Sequence, residues 1–231
     1  MLVFGRNVAL EYLNENKKIF NAYVQNSFND YEILNKIKNK NIKYKELSKF
    51  DMDKKVNGLH QGIILEVEDY KYATLEDIVD GNDNLIVMLD HIEDPHNFGA
   101  IIRSCEAAGV NGIIIPSDRS VEVNATVIKT SVGTTENMKI VKVTNLNNTI
   151  KYLKNNGYWI FGTDMDGTDY KTLDYTGKTV IICGNEGSGM SKLVKENCDF
   201  IASIPMKGEV NSLNASVATA IIVFEAISKR M

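Results

Sequence analysis

The chain has 231 residues, 44% of them hydrophobic and 24% charged, with a formal net charge of −4. That mix suits one large folded domain or two small ones and excludes a disordered, collagenous or Pro-rich chain. No apolar run reaches the roughly 18–20 residues of a membrane span, and the first residues show no secretory pattern, so a cytoplasmic location is expected.

Residues 5–16 read as a helix, with Val8, Leu10, Tyr12 and Leu13 on one broad face. Residues 19–24 alternate like a strand, and Asp30 is placed to cap a helix carrying Ile33, Leu34 and Ile37. A short strand at 42–44, a helix from about Glu46, a turn at 58–62 and a buried strand at 63–67 complete a small α/β unit, residues 1–73. The polar, acidic stretch 74–84 is expected to be a linker. Three cysteines, Cys105, Cys183 and Cys198, show no CxxC spacing and are expected as free thiols.

Charge is unevenly spread. Residues 1–73 hold 12 Lys and Arg against 10 Asp and Glu, leaving the remainder acidic. Lys36, Lys38, Lys40, Lys43, Lys45, Lys49, Lys54 and Lys55 fall close together, interrupted only by Glu46, Asp51 and Asp53. Such a cluster can supply phosphate affinity; a solvated lysine-rich face is the alternative.

The second domain, residues 85–231, opens with an apolar strand at 85–89. A helix at 97–108, stopped by Gly109, leads to a strand at 112–115. A helix at 125–131, a strand at 139–143 and a helix at 146–155 follow. Strands at 158–162, 179–183 and 200–204 precede a final helix at 213–229. The strands are apolar runs, as expected of a parallel sheet covered on both faces. Alternating strands and helices make the fold class α/β.

Ligands of such sheets sit beyond the carboxyl ends of the strands, and three segments there are unusual. In residues 89–112 the strand runs into Asp90, Glu93, Asp94, Pro95, His96 and Asn97, and Asn97, Gly99 and Arg103 stand at i, i+2 and i+6. Asn97 is expected at the helix start, where it could simply be a cap while Arg103 pairs with a surface carboxylate. Residues 182–191 form a Gly-rich turn around Glu186. It is neither a phosphate loop nor a dinucleotide fingerprint. A carboxylate there disfavours phosphate and suits a cationic or neutral ligand, or a ribose hydroxyl. Residues 204–227 carry Ser212, expected as the cap of the last helix. The small residues Ala215, Ser216, Ala218, Thr219 and Ala220 that follow would let a partner helix, a ligand or threaded chain approach closely.

Taken in order, Asn97-x-Gly99-x-x-x-Arg103, Gly184-x-Glu186-Gly187-x-Gly189 and the run Ile204 to Ala218 resemble the three motifs of the SpoU/TrmH-type RNA 2'-O-ribose methyltransferases of the SPOUT superfamily. The resemblance covers residues 85–231. Phe4-Gly5 and the turn His60-Gln61-Gly62 are similar to the ribosomal-protein-like substrate-binding domain of the ribosomal-RNA branch. The resemblance implies a parallel sheet with a deep trefoil knot, preceded by a small α/β RNA-binding domain. It implies S-adenosylmethionine as cofactor and a homodimer that brings a second subunit to the site. By matching position, Gly184, Gly187, Ile204, Met206 and Leu213 would hold the cofactor. Asn97, Arg103, Glu186, Ser212 and Asn214 would serve catalysis and substrate. Arg103 matches the family's suggested base, yet a guanidinium keeps its proton; positioning phosphate is its other role.

The expected function is methylation of a ribose 2'-hydroxyl in RNA, on a guanosine of large-subunit ribosomal RNA. Transfer RNA is the alternative substrate, and a non-catalytic RNA-binding protein of the same fold the alternative class. An oxidoreductase is disfavoured because GxGxxG follows no early strand. His60, His91 and His96 lack a metal-ligand spacing, so no metal is expected. The last helix, apolar nearly all round with Val217, Ile221, Ile222, Val223, Phe224 and Ile227, is expected to be buried within and between subunits.

Overall fold

The computed structural model describes residues 1–15, 17–56, 58–209 and 212–231, and the chain divides into two compact units. The first comprises Met1–Lys71 and Glu122–Thr135, the second Tyr72–Val121 and Glu136–Met231. Residue 16, the end of the first expected helix, and residues 210 and 211, inside the third motif, lie outside the described residues.

The first unit contains β1 (Leu2–Phe4), α1 (Arg6–Asn14), β2 (Ile19–Gln25), α2 (Tyr31–Asn39), β3 (Tyr44–Leu47), α3 (Lys49–Lys55) and β4 (Ile63–Val67). Its sheet order is β1-β4-β2-β3, with β4 antiparallel to β1 and β2 and with β2 parallel to β3. The apolar run of β4 makes an inner strand, and Ile63, Ile64 and Leu65 are fully buried. Asp30 caps α2 as expected, accepting from Ile33 N–H at 3.2 Å. Ser48 caps α3, which moves that helix to Lys49 and β3 to Tyr44. β1, three residues long, is too short to show a periodicity. In the 58–62 turn, His60 Nδ1 accepts from Gly62 N–H at 2.9 Å, which leaves Nε2–H to donate to Asp53 at 3.0 Å.

The second unit is built on β5 (Leu85–Asp90), β6 (Gly112–Pro116), β7 (Ile140–Val143), β8 (Trp159–Asp169), β9 (Thr179–Gly184) and β10 (Phe200–Ser203), all parallel, in the order β10-β8-β9-β5-β6-β7. The expected linker is part of this unit. It contains α4 (Glu76–Val79), whose Ile78 is buried in the cluster of Ile86, Met88 and Ile114. Gly112 admits it, since a Cβ there would lie 2.4 Å from Ile78 Cγ2. α5 (Pro95–Ala107) follows β5. α6 (Ala125–Thr130), expected in the second domain, lies in the segment that joins the first unit, where Lys129 Nζ donates to the Leu59 carbonyl at 2.9 Å. α7 (Leu146–Asn155), α8 (Lys192–Glu196) and α9 (Ala215–Ser228) complete the chain. α8, five residues long, was not expected. From the edge strand β10 the chain returns inward, and α9 packs on α5 and β9.

Strand order reverses between β5 and β9, whose last residues Asp90 and Gly184 are register partners. A crevice at such a switch point is where an open α/β sheet binds its ligand.

Candidate active site

Asp90 ends β5 with a buried carboxylate. It accepts from Ser191 N–H at 2.6 Å and pairs with His91 Nδ1 at 2.5 Å. The His91 carbonyl accepts from Asn185 Nδ2 at 2.8 Å, and Asn185 Oδ1 accepts from the Gly187 and Ser188 amides at 2.9 and 3.3 Å. The turn after β9 is thus tied at both ends to the end of β5. Gly184 is required by packing, because a Cβ would lie 2.3 Å from the Gly189 carbonyl carbon and the Met190 nitrogen. At Gly187 a Cβ would meet only Asn185 Oδ1 at 3.5 Å. The missing side chain there leaves space for a ligand.

Helix α5 begins two residues earlier than expected. Pro95 takes the first position, and Asp94 caps it by accepting from His96 N–H at 2.9 Å. Asn97 is therefore inside the first turn and is no cap. Ser212 is no cap either. Asn214 caps α9, its Oδ1 accepting from Ser216 N–H at 2.9 Å. That fixes the amide's orientation, so Asn214 Nδ2 donates to Asn97 Oδ1 at 2.8 Å. Asn97 Nδ2 is then left to donate to Glu186 Oε1 at 2.5 Å. One hydrogen-bond chain joins residues of all three segments across sequence separations of 89 and 117.

Beside it lies a cavity of about 350 Å³. Gly184, Glu186, Gly187, Ile204, Met206, Ser212 and Leu213 line it, as do Ala202, Ala215, Ala218 and Ile222. Asn97 and Asn214 stand behind this wall and reach it through Glu186. Arg103 is not brought to the cavity. It is exposed on α5 and makes no hydrogen bond or ion pair with any described residue.

Thr163, Asp164, Met165 and Cys183 also line the cavity. The apolar run ends at Gly162, but β8 continues as a polar strand to Asp169, which brings the first three of these residues to the cavity. Asp164 pairs with Lys195 Nζ at 2.8 Å. Burial pushes its carboxyl up, but that ammonium and two backbone amides outweigh burial and hold it below the usual carboxylate range. Burial raises the Cys183 thiol to about 11, against weaker hydrogen bonds to Thr219 and Thr163. It is therefore a neutral thiol at physiological pH and a poor nucleophile.

Among the described residues the cavity wall combines apolar side chains with hydroxyl and amide groups, and it carries carboxylates at Asp164 and Glu186 and no lysine or arginine. It suits an organic cation better than a phosphate. Among the described residues no group of three or more His, Cys, Asp or Glu is placed to hold a metal ion. The backbone cradle, the space at Gly187 and the charge of the wall fit S-adenosylmethionine, an adenosyl sulfonium with a net positive charge.

The model of the SpoU rRNA methylase family matches residues 84–224, and that of the RNA 2'-O ribose methyltransferase substrate-binding family matches residues 2–73. A Staphylococcus saprophyticus protein named for the TrmH family of tRNA/rRNA methyltransferases is 40% identical over 239 residues, covering 100% of this chain and 96% of its own. The AdoMet-bound rRNA methyltransferase of Sinorhizobium meliloti superposes with a TM-score of 0.76 at 25% identity, covering 97% of this chain and 85% of that one. The fold is also that of the SpoU methyltransferase AviRb from Streptomyces viridochromogenes, with a TM-score of 0.81 at 24% identity over 99% of this chain and 90% of that one.

Proposed function

The chain belongs to the SpoU rRNA methylase family, of the SpoU/TrmH RNA methyltransferases, and we propose that it methylates the ribose 2'-hydroxyl of a guanosine in large-subunit ribosomal RNA. The methyl donor is S-adenosylmethionine. The observation that carries the reading is the Asn214–Asn97–Glu186 chain beside a cavity with a backbone cradle and acidic wall.

We assign cofactor contacts to Gly184, Gly187, Ile204, Met206 and Leu213, and catalytic and substrate contacts to Asn97, Arg103, Glu186, Ser212 and Asn214. When bound, S-adenosylmethionine supplies an electrophilic methyl group on a positively charged sulfur. Asn97 holds one carboxylate oxygen of Glu186 and leaves the other to accept from a hydroxyl at the cavity. Ser212 lines the same wall and can hydrogen-bond the ribose. A guanidinium is a fork of donors suited to phosphate, and Arg103 makes no hydrogen bond or ion pair with any described residue, so we assign it to an RNA phosphate beside the reacting ribose.

The match of residues 2–73 to a substrate-binding family of RNA 2'-O ribose methyltransferases supports RNA as substrate, and the names of the SpoU rRNA methylase family and of the Sinorhizobium meliloti enzyme favour ribosomal RNA. We read the return of the chain from β10 to α9 as the threading of a knot. We also read the protein as a homodimer, because Val217 and Phe224 stand 47% and 49% exposed on one face of α9, and as cytoplasmic, because its three cysteines are free thiols. Mapping 2'-O-methyls on ribosomal and transfer RNA from a deletion strain tests the substrate. A ribosomal guanosine that loses its methyl supports the reading, and loss confined to transfer RNA overturns the ribosomal assignment.

A further inference from the structure

The eight clustered lysines are not equivalent. Lys36 pairs with Glu32 at 3.6 Å, and Lys40 Nζ donates to the Glu15 carbonyl at 2.7 Å. Lys54 lies over the Phe50 ring and Lys55 over the Tyr23 ring, each 4.2 Å from the centroid. The side chains of Lys38, Lys43, Lys45 and Lys49 make no hydrogen bond, ion pair or ring contact with any described residue. Three of these four line one cleft of about 630 Å³ with Asn21, Asn41, Ile42 and Tyr44. No carboxylate is among its described lining residues; Glu66, behind them, accepts from Asn21 Nδ2 at 2.8 Å. A second cleft of the same unit, bordered by Glu66, Glu68 and Asp69, has the opposite balance.

The cleft lies at the start of β3, the outer strand of the small sheet, between the end of α2 and residues 41–45. Among the described residues β3 pairs only with β2, so its other edge has no strand partner. Tyr44, the first residue of β3, keeps 40% of its surface exposed between Lys43 and Lys45. Successive side chains of a strand face opposite sides of the sheet, so Tyr44 projects from the face opposite Lys43 and Lys45, yet all three line the cleft. A single RNA strand crossing the strand edge can meet both the cations and the ring. Phosphates take the cations, and a base takes the ring face.

We propose that this cleft is the RNA-docking site of the first unit, with Lys38, Lys43 and Lys45 on successive phosphates and Tyr44 stacked on a base. It rests on the reading of the chain as an RNA 2'-O-methyltransferase and adds where, and with which groups, a single-stranded segment is held. The occupant is a single strand because a stacking ring needs an unpaired base. An acidic polypeptide could use the lysines but not the ring.

The test uses the full-length protein and a fluorescein-labelled oligouridine of about 12 nucleotides, within the usual site sizes, read by anisotropy at several salt concentrations. Alanine at Lys38, Lys43 and Lys45 together should lower the slope of log affinity against log salt by about 2, given about 0.7 per phosphate on a single strand. Alanine at Lys36, Lys40 and Lys54 removes the same charge and should change the slope by less than about 1. Tyr44→Ala should weaken binding about tenfold while Tyr44→Phe restores it, since the ring face does the stacking. Equal slopes for the two triple variants, or Tyr44→Ala binding like wild type, overturns the proposal. Polyglutamate displacing the oligonucleotide as well as unlabelled RNA does would give the cleft to an acidic polypeptide and also overturns it. A wild-type protein that methylates ribosomal RNA while the cleft variants bind it normally sinks the cleft alone. A wild-type protein that neither binds nor methylates RNA sinks the reading beneath it as well.

Discussion

Arg103 and Asn97 share a helix but do different work. Asn97 is buried and hydrogen-bonded on both sides, whereas Arg103 is exposed and engages none of the described residues. Arg103→Ala should therefore abolish single-turnover methyl transfer while leaving the melting temperature and S-adenosylmethionine affinity unchanged; a wild-type rate would remove Arg103 from the mechanism. Asn97→Ala removes the bonds to Asn214 Nδ2 and Glu186 Oε1. The loss is about 1–3 kcal/mol for such groups, so calorimetry should show a lower melting temperature together with a lower rate. Gly184→Ala forces a methyl against backbone at 2.3 Å. Overpacking of that kind costs about 1–3 kcal/mol, and the turn must shift, so cofactor affinity measured by titration should fall at least tenfold. Cys183, raised to about 11 by burial, should resist alkylation by iodoacetamide at pH 7.5 in the folded protein.

At the scale of elements, the continuous apolar runs were the most legible, whereas β8, the longest strand, continues beyond its apolar run to Asp169. β5, β9 and α9 bury apolar runs that no other assignment would satisfy, and Asp30 and Gly109 marked a helix start and a helix end where the structure has them. β1 and α8 were too short to carry a period. Caps were legible as residue types but not as positions: Asp94 and Asn214 take the roles expected of Asn97 and Ser212, because each capping oxygen must reach amides two or three residues on. The last helix departs from expectation in a useful way. Ala215, Thr219, Ile222, Val223 and Ala226 are buried, but Val217 and Phe224, seven residues apart, share an exposed stripe with half-buried Ile221. If that stripe is the subunit contact, Val217→Glu with Phe224→Glu should shift light scattering from a dimer to a monomer, with the helix still folded by circular dichroism. A wild-type monomer at micromolar concentration would refute the dimer.

For the whole molecule, the polarity of charge was legible and its use was not. The lysine cluster stood out in the chain, but only the structure separates ammonium groups already engaged with Glu32, Glu15, Phe50 and Tyr23 from those left free. The candidate site was legible because its residues carry the pattern of three segments. The bonds among them span most of the second unit and follow from no local rule. Asp164 was missed because β8 continues past its apolar run, and Cys183 because nothing local shows that the end of β9 lines the cavity. If affinity belongs to the first unit and chemistry to the second, the two should separate by mutation. The most direct measurement is single-turnover methylation of a large-subunit ribosomal-RNA fragment with labelled S-adenosylmethionine, followed by nucleoside mass spectrometry, on wild type and Arg103→Ala side by side. The account predicts a 2'-O-methylguanosine from wild type and none from Arg103→Ala, with both proteins binding the cofactor equally. A methyl found on a base, or a wild-type protein that is folded yet binds no S-adenosylmethionine at millimolar concentration, would contradict it.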